Sequence, residues 1–272
     1  MKGVKRGTVQ AFDGVHISYE MEGEGPALVL IHGWSLNLKM WDDQVPAFSR
    51  RYQVVRYDRR GFGLSGGKEG SGHDVDDLSV LLSLLGIQRT HVLGMSQGAL
   101  TALGFALAHP GSLSGLVLQG PQPPRDFGLR WNGADRYPLQ EYRELARRKG
   151  LQAFRRAWLE HPLLSIPAHR PELKARLEVL LECYSGDSLL APGPRSGEDA
   201  LPSMGRIPEI LAPALVVVGN QEIPYFRIAA DALVYALPHA SKAVIEGGGH
   251  LINLIEPEKY NELVMQFLAD LD

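Results

Sequence analysis

The chain has 272 residues, 44% of them hydrophobic, which is enough for one large α/β domain carrying an insertion. A formal charge of -3 without a long basic tract argues against a nucleic-acid partner. No apolar run approaches the roughly 20 residues that span a bilayer, the basic N-terminal stretch lacks the apolar segment of a signal peptide, and the single Cys183 admits no intrachain disulfide, so a soluble cytoplasmic protein is expected.

Thr8 to Phe12 and His16 to Glu22, joined by Asp13-Gly14, read as an opening hairpin. Ala27-Leu28-Val29-Leu30-Ile31 is a continuous apolar run, the pattern of a strand buried on both faces. It ends in His32-Gly33-Trp34, a turn placed to aim the backbone N–H of Trp34 at a substrate carbonyl, with His32 as a prop. Gln53 to Tyr57 is the next strand. The G-x-G-x-x-G match that follows at Gly61 to Gly66 leads into Gly67-Lys68-Glu69-Gly70 rather than a helix, so nothing there would hold a pyrophosphate. His73 beside Asp74 lacks the further ligands of a metal site.

A helix from about Val75 to Leu85 leads through Gly86 into the apolar run Thr90 to Leu93, then Gly94-Met95-Ser96-Gln97-Gly98, then a helix-forming stretch from Ala99 to His109. That is a nucleophile elbow in its strand–turn–helix setting. The turn is tight enough to force strained angles on Ser96, and glycine at both flanks removes collisions with neighbouring chain. The backbone N–H of Gln97, directly after the nucleophile, is the second candidate oxyanion donor beside that of Trp34.

In chains with such an elbow, an acid and then a histidine follow in sequence. His250, after Glu246-Gly247-Gly248-Gly249, lies between the strand Ala243 to Ile245 and a closing helix from Pro257 to Leu271. The glycines free that loop to carry the imidazole toward Ser96. The acid comes from Glu222, in the loop after the strand Ala214 to Val218, with Asp126, after the strand Gly115 to Gln119, as the rival.

The alternation of strand and helix predicts a mainly parallel, doubly wound sheet for residues 1–120 and 206–272. Between them, residues 121–205 lose the strand signal and gain helical punctuation at Pro138 and Pro171. Leu173, Leu177, Leu180, Leu181 and Tyr184 make an apolar stripe at helical spacing. This segment reads as a helical cap over Ser96, with Trp131, Tyr137, Phe154 and Trp158 as candidate lining residues.

With these residues in place, the chain resembles the α/β-hydrolase superfamily almost throughout. Asp58-Arg59-Arg60-Gly61-Phe62-Gly63-Leu64-Ser65 is similar to that family's D-x-R-G-x-G-x-S loop. Within the superfamily the chain most resembles small cap-bearing carboxylesterases and 3-oxoadipate enol-lactonases, through Tyr184-Ser185-Gly186, Ile207-Pro208-Glu209-Ile210 and Val218-Gly219 with Pro224. The turn from His32 to Asn37 is similar to that of the pimeloyl-carrier methyl esterases. Two positions depart from the pattern: Glu222 where Asp is usual, and Ala99 where many members carry glycine.

The resemblance and the residues together imply a serine hydrolase of small carboxylic esters or lactones that needs no metal or organic cofactor. The alternatives are a carbon–carbon hydrolase of diketone ring-fission products, a cofactor-free perhydrolase, and a ligand sensor without rapid turnover. A small-molecule substrate is expected, and the oligomeric state is left open.

Overall fold

Residues 3–70, 72–128, 138–190 and 201–272 are described by the structure, a computed structural model. Trp131 and Tyr137 lie outside the described residues. Eight strands form one sheet in the order β1-β2-β4-β3-β5-β6-β7-β8. The opening hairpin is β1 (Lys5–Gln10) and β2 (His16–Glu22), antiparallel to each other, and β2 runs antiparallel to β4 (Gln53–Tyr57). The first strand begins and ends earlier in the chain than expected, because the backbone turns from Ala11 to Val15 around the left-handed Gly14. From β4 onward, β3 (Ala27–Ile31), β5 (Thr90–Met95), β6 (Leu113–Gln119), β7 (Ala214–Gly219) and β8 (Ala240–Ile245) pair in parallel.

Why the central strands are apolar throughout is plain from their surroundings: every residue of β3, β5 and β7 is buried. Alternate side chains feed two separate clusters. On one face Val29, Ile31, Val92, Leu116 and Val216 pack on α2 (Asp74–Leu84), α3 (Gln97–Ala108) and α8 (Pro224–Ala236). On the other, Leu28, Leu30, Leu93, Val117 and Leu215 meet α1 (Val45–Phe48) and α10 (Pro257–Ala269). The helix α8, which starts on Pro224, and the short α9 (Ile252–Ile255) add to the elements expected from the sequence.

Between β6 and β7 the chain forms α4 (Leu139–Lys149), α5 (Leu151–Leu159), α6 (Glu172–Glu182) and α7 (Asp187–Leu190). Their buried side chains, Phe154, Trp158, Leu177 and Leu181 among them, join the cluster on the α1–α10 face, as does Tyr184 between α6 and α7. Polar ties hold them to the sheet domain: Asn37 Nδ2 donates to the Leu180 carbonyl at 3.2 Å, Arg176 Nη1 to Asp43 Oδ2 at 2.5 Å, and Arg170 Nη1 to the Ile255 carbonyl at 2.5 Å. Among the described residues no helix is long and apolar enough to cross a membrane.

The strand order reverses between β3 and β5, since β4 follows β3 on one side and β6 follows β5 on the other. A crevice therefore opens outside the carboxyl ends of these two strands. The chain leaves β3 into His32-Gly33-Trp34 and leaves β5 into Ser96.

Candidate active site

Ser96 stands between β5 and α3 with φ 54° and ψ -115°, angles that L side chains rarely adopt. Its glycine neighbours explain how the turn closes. A Cβ on Gly94 would strike the Gly98 carbonyl, and one on Gly98 would strike the carbonyls of Ile31 and His32. The Ser96 N–H is fixed by the Gln119 carbonyl at 2.9 Å, and its own carbonyl accepts from Gln122 N–H at 3.2 Å.

His250 is buried, and its Nδ1 lies 2.8 Å from Glu222 Oε2, also buried. The other carboxylate oxygen accepts from the Ile223 N–H at 3.0 Å, so Glu222 is anchored before it reaches the ring. With Nδ1–H donated to the carboxylate, Nε2 is left as the basic nitrogen. Phe226 packs against the imidazole with ring centroids 4.5 Å apart. Gly120, at φ 45°, leaves room for the pair: a Cβ there would come within 2.8 Å of His250 Nδ1. Asp126 does not approach this site. It accepts from Ser203 Oγ at 2.9 Å on the exposed loop after β6, so of the two acids weighed only Glu222 meets His250.

The turn after β3 is braced from beneath by His32. The Arg59 N–H donates to Nε2 at 2.9 Å, which assigns the proton to Nδ1, and Nδ1 lies 2.8 Å from the Gly33 carbonyl. Burial first, then the nearby Arg59 guanidinium, hold this imidazole down to about 3, so it is neutral at ordinary pH. Trp34 Nε1 and the Tyr184 hydroxyl each donate to Glu69 Oε1 at 3.3 Å. Ser35, fully buried and at φ 62°, accepts from Trp158 Nε1 at 2.8 Å.

Gln97 occupies the first position of α3, where backbone N–H groups have no partner within the helix. Its side-chain oxygen accepts from Arg59 Nη1 at 2.8 Å, and Arg59 is itself paired with Asp74 at 3.2 Å. The D-x-R-G-x-G-x-S loop thus has a local account. Asp58 takes the N–H groups of Leu38 and Leu64, both at 2.8 Å, and Gly63 sits so close over its carboxylate that no side chain fits. Ser65 Oγ closes the loop onto the Asp58 carbonyl at 2.6 Å.

Ser96, Gln97 and His250 share one cavity of about 280 Å³. Trp34, Leu36, Met95, Leu139, Trp158, Leu163, Leu164, Tyr225, Phe226 and Leu251 make its walls mostly apolar, and Gln122 adds an amide. Of the candidate lining residues, Trp158 lines it. Phe154 does not: it is fully buried behind Trp34, their rings 5.8 Å apart, and belongs to the packing of the inserted helices.

Three residues that the sequence reading passed over hold the histidine loop. Gln119 Nε2 donates to the His250 carbonyl at 3.1 Å and to Asn253 Oδ1 at 2.8 Å, and Gln44 Nε2 donates to the Asn253 carbonyl at 2.9 Å. All three are fully buried. The available signal was a polar residue, Gln119, closing an apolar strand in register with Met95. Among the described residues, no group of three or more His, Cys, Asp or Glu is arranged to hold a metal ion.

Comparison with known proteins agrees with this architecture. The family model of the alpha/beta hydrolase fold matches residues 26–257. A protein of Agrobacterium fabrum with the provisional name carbamate hydrolase RutD is 27% identical, over 92% of this chain and 96% of its own. The crystal structure of the enol-lactonase from Burkholderia xenovorans LB400 superposes with a TM-score of 0.80 at 24% identity, covering 97% of this chain and 100% of that one. The thermophilic esterase of Thermogutta terrifontis gives 0.82 at 22% identity, covering 98% and 99%. At these identities the two structures speak for the fold, and with the matched family model they lead to one conclusion: the chain belongs to the α/β-hydrolase family and is a hydrolase.

Proposed function

We propose that this protein is a serine hydrolase that cleaves small carboxylic esters or lactones through an acyl-enzyme, with Ser96, His250 and Glu222 as its triad. The observation that carries the reading is the buried 2.8 Å contact between His250 Nδ1 and Glu222, which opens on the same cavity as the strained Ser96. Ser96 Oγ attacks the acyl carbonyl while His250 Nε2 takes its proton. Glu222 holds the ring in the Nδ1–H tautomer and stabilises the imidazolium. The backbone N–H groups of Trp34 and Gln97 receive the oxyanion, each worth about 3 kcal/mol of barrier. His250 then protonates the leaving alkoxide and activates the water that frees the acid.

The helices inserted between β6 and β7 act as a cap in this scheme, supplying Leu139, Trp158, Leu163 and Leu164 to the acyl pocket. Among the described residues, the lining includes no Asp, Glu, Lys or Arg, which favours uncharged acyl groups. A carbamate is the second reading, prompted by the name of the Agrobacterium relative, and its carbonyl would be attacked by the same machinery.

The test is a set of initial rates on p-nitrophenyl acetate, butyrate and octanoate, a small lactone and an aryl carbamate, with wild type beside Ser96→Ala. Ester or lactone turnover lost in the variant supports the proposal. Turnover restricted to the carbamate selects the second reading. No turnover by folded wild type, with phosphonate labelling that survives Ser96→Ala, overturns both.

A further inference from the structure

Three non-glycine residues among those described have left-handed backbone angles. Ser96 has a reason in the elbow, and Asp126 lies on an exposed loop, where a short polar side chain tolerates the conformation. Ser35 has neither excuse. It is fully buried at φ 62°, next to the residue whose N–H is assigned to the oxyanion. A strained angle of this kind persists only when its surroundings over-determine it.

The surroundings include one indole. Trp158 of α5 donates Nε1–H to Ser35 Oγ at 2.8 Å, and its ring meets that of Trp34 edge-on at 5.2 Å. Both residues of the turn are therefore gripped by a side chain that enters the fold more than a hundred positions later. We infer that Trp158 is a positioning residue for the oxyanion turn: through Ser35 it holds the left-handed conformation that aims the Trp34 N–H into the cavity. The inference rests on the oxyanion assignment made above. Oxyanion donors act only when held in place before the charge develops, so a turn free to relax loses rate rather than affinity. Because Trp158 also lines the cavity, the packing of the inserted helices and the pose of the oxyanion turn are set by the same side chain.

The experiment is a double-mutant cycle on p-nitrophenyl acetate, whose small acyl group offers the pocket walls the least surface. Trp158→Phe keeps an aromatic ring and removes the donor; Ser35→Ala removes the acceptor and keeps the strain. Each is expected to lower kcat roughly fivefold, the worth of one net hydrogen bond, with KM changed less than twofold. Ser35→Gly removes the strain itself, since glycine adopts positive φ freely. Added to Ser35→Gly, Trp158→Phe is expected to cause no further fall in kcat.

An unchanged kcat in Trp158→Phe, or an equal loss from it in wild type and in the Ser35→Gly variant, makes the indole a packing residue and overturns the inference while the esterase reading stands. If Trp158→Phe does not fold, Ser35→Ala decides alone, because it leaves the ring in place. A wild type without Ser96-dependent turnover or labelling removes the oxyanion assignment and the inference with it.

Discussion

Gln119 binds the two halves of the site at once: its side-chain amide donates to the His250 carbonyl at 3.1 Å while its own carbonyl accepts the Ser96 N–H at 2.9 Å. One residue at the end of β6 therefore fixes the distance between the proposed nucleophile and its base, and Asn253 and Gln44 extend the clamp to the chain after β3.

Replacing that residue should separate positioning from packing. Gln119→Leu removes the donor from the His250 carbonyl and from Asn253, buried groups whose loss of a partner costs about 1–3 kcal/mol each. The expected outcome is a kcat lowered roughly tenfold to a hundredfold at nearly constant KM, with a lower unfolding temperature. Loss of stability at unchanged kcat would make the clamp structural only.

The acid can be assigned by exchange of single oxygens. Glu222→Gln keeps shape and loses the charge that favours the Nδ1–H tautomer, so kcat is expected to fall by roughly three to four orders of magnitude. Asp126→Asn, remote from His250, is expected to stay within about twofold of wild type. Equal losses from the two substitutions would contradict the geometry of the site.

At Gly98 the elbow leaves no room for one methyl group. Gly98→Ala drives a Cβ into the carbonyls at the end of β3, and overpacking of this kind costs about 1–3 kcal/mol. The same displacement moves Gln97, so activity should drop further than stability. Thermal unfolding and kcat measured together check this; a variant as stable and active as wild type would mean that the turn is looser than described.

Acid sensitivity should trace to His32. Its folded value lies near 3, well below the ordinary imidazole value of 6.5. Above 6.5 neither folded nor unfolded chain protonates it and the contribution is complete. Below 6.5 only the unfolded chain gains the proton, so stability falls by about 1.4 kcal/mol per pH unit until the native ring titrates. His91, also lowered by burial, acts in the same direction, while Glu20, held down to about 2 by Lys39, Arg6 and Arg56 against its burial, matters only below 4.5. Urea midpoints between pH 7.5 and 5 should therefore decline, and His32→Asn should remove about one proton from the slope. A slope unaltered by that substitution would place the sensitivity elsewhere.

What could be read in advance and what could not divide along physical lines. Ser96, His250 and the strands that carry them follow from local rules: glycines where a turn is tight, apolar runs where both faces are buried. Glu222 was legible because it stands in the loop that follows β7, where an acid is expected. Gln119, Asn253 and Gln44 were not, since a buried amide has no spacing signature and its meaning lies in partners far along the chain. Phe154 and Trp158 sit four residues apart on one helix, and periodicity alone assigns both to the pocket. Only the packing of Trp34 shows that Phe154 lies behind the wall and Trp158 in it.

The two apolar clusters have no side chain in common, and α4 to α7 contribute to one of them alone. That asymmetry has a use in engineering. Substitutions among the clustered side chains between the sheet and α2, α3 and α8, none of which lines the cavity, can harden the protein against heat without touching what the cavity admits, whereas recutting the segment from Leu139 to Leu190 to admit new substrates draws on the interior that keeps half of the sheet dry. Altered selectivity and durability are coupled on one side of this molecule and independent on the other, so a library aimed at new substrates is best begun from a variant already stabilised on the far face.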